Sequence, residues 1–289
     1  MYGFYGNGDF FTDMAVEAFE RAAPFGIEKK SLPYGITKSV VRIVTEEEAQ
    51  RLNRKRGLYI SFDTEKSFFR TKDCERALVN QLAQSLSELT AFRLQRGKTA
   101  LVAGLGNQGM TADSLGPKVL GKLEIDEAKD EKRRLATLAP GVKGVTGIES
   151  FDVIKGVVDR LKPAVVIAVD TLACSRSSRL YSSFQISTAG VIPGGGVGND
   201  KRPLDFESLG VPVISLGVPL VLYARTLVSE SIANYAERVK SEINSFELAH
   251  AISESLFGDY NLVVTPKEID LIVENSAEIL ARAINKAFS

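Results

Sequence analysis

The chain alternates between two hydrophobic rhythms. Over 36–44 and 57–63 apolar and polar residues alternate, the second run placing Leu58, Ile60 and Phe62 on one face, as half-buried strands do. Between them Thr45 and Glu48 form a capping box ahead of a helix that Gly57 stops. From 72 to 96 the period lengthens: Leu78, Leu82, Leu86 and Leu89 fall on one helical stripe, with Gly97 as C-terminal cap. Helical spacing returns at Ile148, Phe151, Ile154, Val157, Val158 and Leu161. On either side of it, 99–103 and 163–170 are continuous apolar runs, read as fully buried strands. Further strands are expected at 183–187 and 211–216. A final helix has Thr265 as N-cap, Pro266 at its first position and Glu268 three after the cap, followed by Ile269, Ile272, Ile279, Leu280, Ala283 and Ile284. The first two dozen residues lack a period until a short helix at 14–23. Strands alternating with helices predict an α/β fold with a largely parallel sheet flanked by helices.

Both buried runs lead to an acid. Strand 99–103 turns through Gly104, Gly106 and Gly109 and delivers Asp113 ahead of a second helical pattern; strand 163–170 ends on Asp170. In an open parallel sheet ligands bind outside the carboxyl ends of the strands, so neighbouring strands would bring the two acids together. A long glycine-rich loop, LAPGVKGVTGIES, follows a charged segment at 124–134 that is expected to be exposed. Hydroxyls with Arg176 and Arg179 follow Asp170, and AGVIPGGGVGND follows 183–187.

Composition narrows the chemistry. The 289 residues carry 36 basic and 36 acidic side chains, which argues against a dedicated nucleic-acid or anionic-membrane surface. The most apolar uncharged stretch, 208–224, holds Pro212 and Pro219 and falls short of the ~20 residues of a spanning helix. Residues 1–20 have no basic region before an apolar core, and Asp9, Asp13 and Glu17 interrupt them, so no secretory signal is read there. With only Cys74 and Cys174, no disulfide framework is expected and a cytoplasmic compartment follows. The single histidine, His250, sits in a helical stretch with Phe246, Ala249 and Leu256 on related faces and is read as structural. A three-histidine metal site is impossible and a Ser-His-Asp triad has no well-placed base. Chemistry must therefore come mainly from carboxylates, lysines, hydroxyls or main chain.

Three readings compete at the glycine loop. GLGNQG, 104–109, matches a dinucleotide fingerprint with Glu124 or Asp126 as ribose acid, but Asp113, Gly116 and Pro117 interrupt the helix that should follow, and the carboxylate would repel a phosphate. Alternatively Asp113 and Asp170 work as a pair, sharing a proton so that one serves as base and one as acid, or holding a divalent metal that activates water. The plainest reading is that each Asp caps the helix after it.

The stretches GLGNQGMTADSLGP, LAPGVKGVTGIES with FDVIKGVVDRLKP, VIAVDTLACSRS, FQISTAGVIPGGGVGN and VPVISLGVP, in that order, resemble the germination protease of endospore-forming bacteria, as does the ending NLVVTPKEID. The resemblance runs from about residue 98 to 289, with a weaker match near the N-terminus. It implies an endopeptidase of small acid-soluble spore proteins, with a three-layer α/β/α core like that of hydrogenase-maturation proteases and additional N-terminal strands. It further implies a self-processing zymogen and a homotetramer in the cytoplasm of the developing and germinating spore, without direct nucleic-acid or membrane partners. Asp113 in TADSLGP and Asp170 in AVDTLA fall on the family's proposed catalytic carboxylates. That family has been described both as aspartic-type and as metal-dependent, so the implied cofactor is none or one divalent ion held by Asp113 and Asp170.

TDMAVE, 12–17, resembles the family's self-processing sequence, which places the cut between Asp13 and Met14. The expected organisation is a propeptide, 1–13, and a single α/β peptidase domain, 14–289, with a smaller subdomain of strands. Thr12 as an ordinary helix cap is the alternative. Arg176, Arg179 and Lys143 are candidates for reading acidic substrate positions. The chain departs from the family where GVPTVVDA is expected: it has GVPLVLYA, so Leu220 and Tyr223 replace a hydroxyl and an acid. A silent tetrameric homologue is therefore a further possibility, against which stands the presence of both Asp113 and Asp170.

Overall fold

The apolar runs pair edge to edge, and the charged loops between them are pushed to the rims. In the computed structural model, which describes residues 12–22, 26–65, 70–91, 98–125, 134–193, 202–239, 245–257 and 262–289, the chain opens with helix α1 (Ala15–Ala22). Strands β1 (Glu28–Leu32) and β2 (Ile36–Ile43), helix α2 (Glu46–Leu52), strand β3 (Gly57–Asp63) and helix α3 (Lys72–Thr90) follow. Next come β4 (Thr99–Gly104), α4 (Leu115–Leu120), β5 (Arg134–Leu138), the single-turn α5 (Lys143–Thr146), α6 (Ser150–Leu161) and β6 (Val165–Cys174). The rest comprises β7 (Ser183–Ser187), α7 (Phe206–Leu209), β8 (Val213–Tyr223), α8 (Ala224–Arg238), α9 (Ser245–Phe257), β9 (Val263–Val264) and α10 (Ile269–Phe288).

The strands form one mixed sheet in the order β1-β2-β3-β7-β8-β6-β4-β5, with β9 on the end of β8. The β5-β4-β6-β8 half is parallel and the β8-β7-β3-β2-β1 half antiparallel. Period-two alternation divides the core between two faces. Ala100, Val102, Val165, Ile167, Val169, Ile60 and Phe62 pack under α3, α4 and α10. Leu101, Ala103, Val166 and Ala168 face Phe151, Ile154 and Val158 of α6, and farther along that side Val41, Ile43 and Tyr59 meet α1 and α2. The architecture is a three-layer α/β/α fold. Among the described residues, no helix is long and apolar enough to cross a membrane.

Locally encoded features match the sequence pattern. Thr45 and Glu48 form the full capping box of α2, although the helix ends at Asn53 in the left-handed region rather than at Gly57. Other boundaries move for physical reasons. The last helix starts at Ile269, with Glu268 rather than Thr265 at its N-cap position, and the Thr265 hydroxyl is turned to the Pro266 carbonyl at 3.5 Å. Strand 211–216 extends to Tyr223, carrying Pro219 inside the sheet. Proline has no N–H to give, and the β6–β8 register shifts beside it, between Leu172 and Ala173. Strand β6 likewise runs past Asp170 to Cys174. Strands β1 and β5 were not anticipated. Gly97, 126–133 of the charged segment, 194–201 of AGVIPGGGVGND and residues 1–11 lie outside the described residues, as does the His250 side chain; of its helix mates Ala249 is buried and Leu256 exposed.

Candidate active site at the carboxyl ends of β4 and β6

Strand β4 ends at Gly104, paired with Val169, and the ladder extends one step when Leu105 N–H donates to the Val169 carbonyl at 2.8 Å. Asp170 is the next residue of β6, so it sits where β4 has just left the sheet. Its Oδ1 accepts the Thr171 N–H at 2.9 Å, and the residue is 5% exposed. The loop leaving β4 returns through a 3-10 turn, Thr111–Asp113. There the Thr171 hydroxyl donates to the Ala112 carbonyl at 2.9 Å, tying the residue after Asp170 to the residue before Asp113. The two acids are brought to one edge of the sheet.

The glycines of this loop serve close approach. A Cβ on Gly104 would lie 2.6 Å from the Gly116 backbone, so the pair lets α4 pack directly on the strand end. Gly106 has φ +105°, and Asp113 Oδ2 accepts the Asn107 N–H at 2.8 Å. One amide that a pyrophosphate would seek is thus taken by a carboxylate. Asp113 and Gly106 line a cleft of about 210 Å³ with Lys143, Glu149, Phe151 and Arg202; Asp170 does not line it. Lys143 pairs with Glu149 at 2.7 Å, and Arg202 lies 4.2 Å over the Phe151 ring while pairing with Asp152.

The N-terminal segment approaches the same edge from the other side. Asp13 N–H donates to the Ala173 carbonyl at 2.8 Å and Asp13 Oδ2 accepts Ala173 N–H at 2.7 Å, beside the bulge opposite Pro219. Gln185 Nε2 donates to the Asp13 carbonyl at 3.1 Å, and its Oε1 accepts Ala15 N–H at 2.9 Å. Met14 is fully buried, packed with Leu172, Cys174 and Leu222. Glu17 is seated on Ser175 N–H (2.6 Å), Ser175 Oγ (2.8 Å) and Arg176 N–H (3.1 Å), and also accepts the Thr12 hydroxyl at 2.5 Å. Thr12 Oγ1 accepts Met14 N–H at 3.0 Å, so it holds the entry to α1 as well. Burial raises the Asp13 carboxyl, opposed by the Ala173 N–H and by Arg54, with Glu17 adding to the rise. Tyr223, at one of the departing positions, is pushed up to about 12 by burial, with the charge of Asp13 adding.

The three basic residues suggested for substrate reading are each paired internally. Arg179 forks onto Glu20 at 3.0 and 3.1 Å, with Asp63 and Glu17 beyond; Arg176 reaches Glu20 at 3.1 Å; Lys143 holds Glu149. Burial alone would raise Glu20, but hydrogen bonds from Arg179 and Lys29 overcome it and hold the carboxyl at about 2. Cys74 and Cys174 are buried, and burial pushes both thiols up, so neither offers a ready thiolate. Sequence reasoning missed Gln185 and the seat of Glu17. The alternation of FQIS, with Phe184 and Ile186 apolar, was the available signal that Gln185 faces the opposite side of the sheet.

Fold and site together define an α/β/α protein whose acid-bearing loop lies at the carboxyl edge of parallel strands. A family model described as germination protease matches residues 24–257. The germination proteases of Caldanaerobacter subterraneus subsp. tengcongensis, Clostridium acetobutylicum and Bacillus licheniformis are 37%, 34% and 32% identical to the chain. Each alignment covers 96% of this chain and 93%, 94% and 92% of the relative, respectively. The chain belongs to the germination protease family, a family of peptidases. Among solved structures, a NiFe hydrogenase maturation protease, HycI, from Thermococcus kodakarensis matches with a TM-score of 0.38 and 18% identity, over 71% of this chain and 98% of that one.

Proposed function

We propose that the chain is an endopeptidase that initiates degradation of small acid-soluble spore proteins during germination, with Asp113 and Asp170 as its water-activating pair. The observation that carries this reading is the bond from the Thr171 hydroxyl to the Ala112 carbonyl, which tethers the two acid-bearing segments to each other. Carboxylates at close range cannot both ionise freely; one takes a proton from water while the other protonates the departing amine. A divalent ion, if bound by the same two residues, would polarise the scissile carbonyl. Among the described residues, Asp113 and Asp170 are not joined by further His, Cys, Asp or Glu in a group that could hold a metal. An unstructured substrate suits a cleft that must take an extended chain, because folded proteins expose one only at the cost of local unfolding.

The chain is made as a zymogen that cuts itself between Asp13 and Met14, and it works as a homotetramer in the spore cytoplasm. Supporting the processing step, Asp13 is hydrogen-bonded to Ala173, on the same strand as Asp170. The test is cleavage of a peptide with an acidic residue before the cut, by the processed protein and by Asp113→Asn and Asp170→Asn, with and without a chelator. Loss of activity in both variants is expected. Chelator-sensitive cleavage restored by a divalent ion assigns the metal route, and chelator-resistant cleavage the proton-sharing pair. No cleavage by processed wild type removes the proposal.

A further inference from the structure

Gln185 stands on β7 between Phe184 and Ile186, both buried against the α3/α10 layer, so its side chain projects from the opposite face. That face also carries Asp170, which alternates with Val169 on β6. The register places both residues opposite Gly217 of β8, one on each side. Their Cα atoms are about two strand spacings apart, or ~10 Å. A Cβ on Gly217 would fall 2.5 Å from Leu172 Cγ and 2.9 Å from the Asp170 carbonyl, so the strand between them is necessarily bare. Gln185 is 6% exposed, and both ends of its carboxamide are engaged by the N-terminal segment. Nε2 donates to the Asp13 carbonyl and Oε1 accepts Ala15 N–H, an arrangement that only one orientation of the amide satisfies. The side chain therefore brackets Met14, holding the carbonyl of the Asp13–Met14 peptide and the N–H of the peptide after it.

We propose that Gln185 grips and polarises the carbonyl of the bond to be cut, first in this chain and then in its protein substrate. The inference rests on the reading of Asp13–Met14 as the processing site. Water adds to the Asp13 carbonyl carbon, one carboxylate taking its proton, and negative charge develops on the oxygen that Nε2–H already meets. The C–N bond then breaks, the proton passes to the Met14 nitrogen, and the products are a terminal carboxylate on Asp13 and an amine on Met14. When residues 1–13 depart, Ala15 N–H still holds Oε1, which leaves Nε2 aimed at the vacated place. Ala173 N–H, which had served Asp13 Oδ2, falls vacant at the same moment.

Two variants separate this role from packing. Gln185→Glu keeps shape and acceptor but lacks the donor at neutral pH; Gln185→Met keeps volume and lacks both. Self-processing is followed by intact mass, trans cleavage of the acidic peptide by the protein trimmed to start at Met14, and folding by thermal melt. Both variants are expected to unfold cooperatively, a few degrees below wild type for the buried partners they leave unmet, and to process about 100-fold more slowly, with the loss in trans falling on kcat more than on KM. A variant that unfolds leaves the other to decide. Wild type that cuts, alongside a folded Gln185→Glu chain within about threefold of its rate, overturns the role of Gln185 alone. Wild type that never cuts at Asp13–Met14 overturns the processing reading and this inference with it.

Discussion

At Gly106 one hydrogen atom decides where Asp113 stands. A Cβ there would lie 2.0 Å from the Asp113 carbonyl oxygen and 3.0 Å from Oδ1, on a backbone whose φ of +105° already disfavours a side chain. Gly106→Ala is expected to cost about 1–3 kcal/mol in backbone strain, and more where the Asp113 turn must move. Because a displacement of about 1 Å costs catalysis about 100-fold, kcat/KM on the acidic peptide should fall far more than stability does. An unchanged kcat/KM in Gly106→Ala would show that Asp113 need not be held against this loop. At this scale the placement of Asp113 and Asp170 at the sheet edge was legible because each lies downstream of an uninterrupted apolar run. The contacts of Glu17 and Gln185 were not: the alternation of FQIS gives the face of Gln185, but the partners lie 158 and 172 residues away and leave no local pattern.

Among the elements, those encoded by neighbours were readable and those encoded by distant pairing were not. The capping box of α2 involves Thr45 and Glu48 alone. Strand β5, in contrast, follows a charged stretch and exists because β4 offers it a parallel edge. The continuation of β8 through Pro219 depends on the β6 bulge beside it. Helix α1 depends most on what it meets: Glu20 takes the Arg179 fork, Lys29 and Arg176. Its folded pKa of about 2 lies below the ordinary 4.5. A carboxyl depressed by folding stabilises the native state above the unfolded pKa, and that stabilisation is lost as pH falls through the folded one. The stability difference between wild type and Glu20→Gln, measured by denaturant unfolding, should therefore be full at pH 7 and shrink between about 4.5 and about 2. A difference that stays constant over that range would mean the Arg179 fork is not what anchors α1.

For the molecule as a whole, the N-terminal segment divides at the proposed cut into a part that can leave and a part that cannot. Of the residues before Met14, the described Thr12 and Asp13 touch the fold through main-chain and polar contacts: Asp13 with Ala173, Thr12 with Glu17. From Met14 onward the segment is core. Met14 and Val16 pack with Leu172, Cys174, Leu180 and Leu222, while Ala15 and Phe19 pack with Val41, Ile43, Leu52 and Tyr59. Burying Met14, Val16 and Phe19 contributes on the order of 5–9 kcal/mol at about 1.5–3 kcal/mol for each side chain. That is comparable with the whole net stability of a typical domain, about 5–15 kcal/mol. A chain beginning at Met14 should accordingly still unfold cooperatively, less stable by a few kcal/mol, since among the described residues it gives up the hydrogen bonds of Thr12 and Asp13, at about 0.5–1.5 kcal/mol each. A chain beginning at residue 23 should lose its cooperative transition or aggregate, because two apolar clusters on one face of the sheet would open to water. Denaturant unfolding and gel filtration of the two truncations decide the matter. Equal stability of both would mean that α1 is an appendage, and that the seat of Glu17 and the grip of Gln185 serve only to hold a segment the enzyme can discard.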